Sequence, residues 1–133
     1  MSKKIQTAME HDEELVKGLT DQMKPILDKS EQPIYIYLDD NHKSCNSKFA
    51  TLLGYKSPED WAQVNGFLEP FVAEKSQESL QTTFWEANNR MKATTMQLAF
   101  KKKSGGTVNA TMIMVPVTYQ NHLFWIHYVT ATS

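Results

Sequence analysis

The residues of this 133-residue chain that could do chemistry are four histidines, one cysteine and a scatter of acids. Cys45 has no second thiol to pair with, so neither an intrachain disulfide nor a thiolate zinc cluster can form. No Gly-x-Ser-x-Gly elbow presents a nucleophilic serine. Ser104-Gly105-Gly106 carries glycines without the lysine that a phosphate-cradling loop requires, and reads as a hairpin. Asp39-Asp40-Asn41-His42 reads as turn chemistry rather than an acid–base pair. Lys101-Lys102-Lys103 reads as a solvated hairpin. His127 falls in an alternating apolar run, where a hydrogen-bonded strand histidine is a better reading than a metal or haem ligand. The histidines and carboxylates show no metal-ligand spacing, so the sequence predicts no metal site and no catalytic residue. Trp61, Trp85 and Trp125 are aromatic enough to flank a bound ring, but such tryptophans more often belong to a core.

Composition narrows the class. The chain is 41% hydrophobic and 22% charged, with a net charge of −1 and a pI near 6.4, which suits one soluble domain. A duplex-binding surface needs a basic patch, so nucleic acid is not an expected partner. Met-Ser-Lys-Lys and the acidic run Glu10–Glu14 offer no apolar signal segment, and no window reaches membrane-span length. The expectation is a cytoplasmic protein with no membrane partner.

The elements that must position these residues follow from periodicity. Ile5, Met9, Val16, Leu19, Met23 and Ile26 recur at helical spacing over residues 1–29, with Asp12 interrupting the stripe. Pro25 predicts a kink or short break near Met23–Pro25. Residues 33–38 and 43–45 read as strands. Asn46 caps a short helix that Gly54 ends, and Ser57-Pro58 starts another. Phe67, Leu68 and Phe71 make a short turn, and a longer helix runs from about 73 to 91. Three strands close the chain, over 94–100, 107–117 and 122–130. The fourth and fifth strands are apolar on both faces, which requires cover on both sides. The N-terminal helix, a second chain or both could supply the outer cover.

This order, with Asp39, the segment Asn46-Ser-Lys-Phe-Ala-Thr-Leu-Leu-Gly-Tyr55, Pro58-Glu59 and the Lys-Ser-Gly-Gly hairpin, resembles the PAS family over residues 30–130. The resemblance implies an α+β fold: a five-stranded antiparallel sheet in the order 2-1-5-4-3, short helices on one face, and a flanking helix at 1–29 before a domain at 30–133. It implies a sensory or signalling module, not an enzyme, that binds a small ligand or protein partner and dimerises. Residues 65–72 hold no cysteine for a covalent flavin adduct, and residues 73–91 hold no histidine for haem. Many PAS domains end in Asp-Ile-Thr, and this chain reads Tyr128-Val-Thr instead.

The residues expected to line a cavity for an apolar or aromatic ligand are Phe49, Leu53, Phe67, Phe71, Phe84, Met96, Met112, Met114 and Trp125. Those expected to pair two copies are Phe124, Ile126 and Tyr128 with Val16, Leu19 and Met23. Two other readings stand beside this one. One is a ligand-free dimerisation adaptor. The other is a small enzyme of steroid-isomerase type, with Asp39 or His127 as its acid or base.

Overall fold

A computed structural model describes residues 3–132, and the side chains of residues 11–132. In chain order the elements are α1 (Lys3–Lys29), β1 (Ile34–Asp39), β2 (His42–Cys45), α2 (Ser47–Leu52), α3 (Pro58–Ala62), α4 (Leu68–Phe71), α5 (Glu74–Arg90), β3 (Thr94–Lys101), β4 (Thr107–Tyr119) and β5 (His122–Ala131). The strands form one antiparallel sheet in the order β2-β1-β5-β4-β3. The expected α+β architecture and strand order are both present.

Local chemistry explains the joints. The Asn46 side-chain oxygen accepts from the amides of Phe49 and Ile34, each at 3.0 Å, while its Nδ2 donates to the Gln32 carbonyl at 2.9 Å. One side chain thus caps α2 and fixes where β1 begins. Gly54 closes that helix at a φ of +84°, where a side chain would be strained. Ser57 accepts from the Asp60 amide at 3.1 Å, with Pro58 in the first turn. In the β3–β4 hairpin Gly105 takes a positive φ and Gly106 does not, so only one of the two glycines uses its freedom there. The β4–β5 turn runs through Gln120 and Asn121, at φ of +48° and +66°. Two successive left-handed residues are the primed geometry that suits a tight hairpin.

The sheet is buried on both sides. Alternation along β1 sends Tyr35 and Tyr37 to one face and Ile34 and Ile36 to the other. The first face carries the larger core, with Phe49, Trp61, Phe71, Phe100, Met112 and Trp125 packed under α2–α5. On the opposite face Leu15, Val16, Leu19 and Leu27 of α1 pack against Ile34, Ile36, Phe124 and Ile126. Each such side chain contributes about 1.5–3 kcal/mol on burial. A 2.7 Å contact between the Thr20 and Ser44 hydroxyls fastens α1 to β2. The side chains of Ile5 and Met9 lie outside the described residues.

Helix α1 runs through Pro25 without the expected break. Leu27 is buried beyond the proline, and the Ser30 amide donates to the Ile26 carbonyl at 2.9 Å. Packing and that final hydrogen bond hold the last turn in helical form despite the one missing donor.

Candidate functional site

A cleft opens between the sheet and the helical layer, with a volume of about 200 Å³. Tyr35 and Tyr37 of β1 and His127 of β5 form its floor; Phe67, Leu68, Leu80 and Phe84 form its apolar wall, and Gln81 and Asp40 supply polar groups. Helix α5 brings Leu80, Gln81 and Phe84 together through its repeat, since residues four apart share a face. The sheet brings Tyr35 opposite His127 in register. Their rings stack at 4.0 Å with an interplanar angle of 5°. Tyr37 meets Phe67 and Phe84 edge-on, at 5.3 and 5.7 Å.

The polar groups differ in how far they are committed. The Tyr35 hydroxyl donates to the Met112 sulfur at 3.2 Å, and the Tyr37 hydroxyl donates to Asp40. Burial pushes both phenols up, and Asp40 adds to the effect at Tyr37. Both therefore stay protonated. His127 is only 2% exposed, and its Nδ1 has no hydrogen-bond partner among the described residues. Burial lowers its pKa to about 3, against a smaller upward pull from the backbone of Trp125 and Tyr35. The imidazole is neutral at ordinary pH. The cleft therefore offers stacked rings, a neutral imidazole and an amide. That chemistry suits holding a small planar molecule.

Two of the sequence-predicted cavity residues, Phe67 and Phe84, line the cleft. Phe49, Leu53, Phe71, Met112, Met114 and Trp125 are 0–2% exposed and fill the core beneath it, with Met96 packed against that core. The sequence reasoning missed Tyr35, Tyr37, Asp40, Leu68, Leu80 and Gln81 as lining, and named His127 only as the acid or base of the enzyme alternative. Alternation in Ile34-Tyr-Ile-Tyr37 carried the signal for the two tyrosines. Trp61 and Trp125 are core residues, and Trp85 is exposed on α5. Cys45 is buried on β2 and does not line the cleft; burial pushes its thiol up.

The surface expected to join two copies is occupied within one chain. Phe124, Ile126, Val16 and Leu19 are buried against one another between the sheet and α1, with Met23 and Tyr128 packed at the margin. The reason is geometric: α1 lies across the outer face and satisfies the apolar alternation of β5 without a partner. Among the described residues no helix is long and apolar enough to cross a membrane.

No protein-family model matches the chain, and no curated protein sequence matches it. Solved structures do. A PAS domain from a two-component sensor histidine kinase superposes with a TM-score of 0.66 at 14% identity, covering 87% of this chain and 99% of the other. The PAS domain of an HTR-like protein from Haloarcula marismortui gives 0.66 at 12% identity, covering 92% and 99%. The LOV protein of Rhodobacter sphaeroides gives 0.70 at 9% identity, covering 88% and 68%. The chain has the PAS fold, in the strand order that its sequence resemblance implied.

Proposed function

We propose that this PAS-fold chain is a sensory module that holds a small, planar, largely apolar molecule in the cleft and relays its presence through the sheet to α1. The observation that carries this reading is the cleft itself, lined by four aromatic rings and the neutral, nearly inaccessible imidazole of His127. An engineered apolar cavity of about 150 Å³ accepts benzene, so about 200 Å³ suits a molecule of one or two rings. A relay path follows from the strands. Tyr35 and His127 face the cleft, while their neighbours Ile34, Ile36 and Ile126 bear α1 on the reverse face. A ligand that shifts the Tyr35–His127 stack acts on the strands that α1 rests on. Pairing of two copies through Ile126 and Leu19 fits this reading only with α1 lifted from the sheet. The residues 1–29 and 30–133 are, on this reading, transmitter and sensor.

Native mass spectrometry of the purified protein, with thermal shift against a panel of one- and two-ring aromatics, tests the proposal. Retained mass or a melting-point rise is expected, and Leu80→Trp, which fills the cleft, abolishes either. No retained mass and no shift across the panel would favour the ligand-free adaptor. Ligand-dependent protection of α1 from proteolysis separates a relay from simple binding.

A further inference from the structure

Ligand spacing in the sequence predicts no metal site, yet the fold assembles a candidate from distant residues. Asp12 of α1 and Asp39 and His42 of the β1–β2 hairpin each place one ligand atom so that all three lie within 4.8 Å of one another. All three residues are partly buried, the His42 side chain at 11% exposure and that of Asp39 at 49%. His42 Nδ1 stands 2.7 and 2.9 Å from the two carboxylate oxygens of Asp39. Asp12 supplies an independent observation. It sits in the slot where α1's apolar stripe would place another hydrophobic residue, one turn before the buried Val16. Its carboxylate is thus carried to the end of the sheet and against a second carboxylate. Among the described residues it has no hydrogen-bond or ion-pair partner. A hydrophobic residue there would extend the seam; the acid instead sets a second carboxylate near Asp39, which itself contacts His42 Nδ1 and accepts from the Asn41 amide at 2.9 Å.

We propose that Asp12, Asp39 and His42 form a binding site for a borderline divalent cation of the zinc type. One imidazole nitrogen and two carboxylate oxygens match the three protein ligands that such an ion takes when it keeps an open position for water. The imidazole favours ions of the zinc type over calcium and magnesium, which take oxygen ligands. Bonds of about 2.1 Å set ligand atoms about 3.4 Å apart around a tetrahedral ion, a span that the observed cluster reaches by side-chain adjustment. The ion would clip α1 to the hairpin whose Asp40 holds the Tyr37 hydroxyl in the cleft. Its existence does not depend on a ligand in the cleft. A rival lies on the surface, where the rings of His11 and His122 stand 5.4 Å apart.

The test titrates the untagged full chain with Co²⁺, followed by visible absorption, and with Zn²⁺, followed by calorimetry and melting. One ion per chain is expected. His42→Ala, Asp39→Asn and Asp12→Asn should each weaken binding roughly tenfold or more, and His122→Ala should leave it unchanged. Zn²⁺ should raise the melting temperature of the wild type and leave that of Asp12→Asn where it was. Melting without metal shows that each variant is folded. Absence of binding at millimolar ion overturns the proposal, as does undiminished binding by folded His42→Ala, which assigns the ion to the His11–His122 pair. Equal affinity in Asp12→Asn overturns the three-residue site and its clip on α1.

Discussion

Acidification should destabilise this protein through one ring. His127 is held neutral by burial, with its pKa lowered to about 3, against about 6.5 in the unfolded chain. Between those values the unfolded chain binds a proton that the native protein refuses. Stability therefore rises with pH across that window and falls as pH is lowered through it. Each unit corresponds to about 1.36 kcal/mol, so a drop from pH 7.5 to pH 5 costs about 2 kcal/mol from this residue. The figure requires only that the native pKa stay below about 4. Against a total stability of about 5–15 kcal/mol that is a large fraction, and it lowers the melting temperature by about 7 °C for a chain of this length. The assay is urea or thermal unfolding at pH 7.5, 6.5, 5.5 and 5.0 for the wild type and His127→Phe. Phenylalanine keeps a ring to stack on Tyr35 and cannot take a proton. All other titrating groups are common to both proteins, so the difference isolates His127. Equal pH sensitivity in the two proteins would refute the reasoning, as would an NMR titration of the His127 ring with a midpoint near 6.5.

Three further outcomes follow from burial and close contact. Ile126→Asp places an unpaired charge between the sheet and α1, where Ile126 is 3% exposed; it should cost about 3–5 kcal/mol, read as a lower urea midpoint rather than as a dissociated dimer. An added Cβ at Gly18 would overlap the Tyr119 hydroxyl. Gly18→Ala alone should therefore forfeit the roughly 1 kcal/mol that alanine normally adds to a helix. In a Tyr119→Phe background the gain should reappear, and a double-mutant cycle measures the coupling. Asn46→Ala removes the three hydrogen bonds that join α2 to β1 and should cost about 2–4 kcal/mol, seen as a lower melting temperature with the α2 amides exchanging first.

The apolar alternation on both faces of β4 and β5 made two packed layers legible, and the cap residues Asn46, Gly54 and Ser57 marked their helices. What alternation lacks is the identity of the cover. Phe124 and Ile126 would look the same under a second chain as under α1, and only the fold decides. The cleft was harder to read for a related reason. Large residues such as Phe49 and Met112 suggest a cavity wall, but they fill the space they occupy. A cleft persists where Phe67, Leu80 and Phe84 fail to close over Tyr35 and His127, and that gap depends on how α4 and α5 sit over β1. Asp12 was visible as a flaw in the α1 stripe, but Asp39 and His42 lie far along the chain, beyond any local spacing rule.

The interior position of β1 has a consequence for synthesis. In the sheet it lies between β2, its neighbour in the chain, and β5, about 90 residues away. At roughly 5–20 residues per second on the ribosome, β1 waits several seconds with one edge unpaired. An open edge invites pairing with other chains. Throughout that interval Ile34 and Ile36 are already made, and so is α1, which covers them in the finished protein. The flanking helix can thus act first as a shield for the nascent hairpin, long before β5 arrives to complete the sheet beneath it.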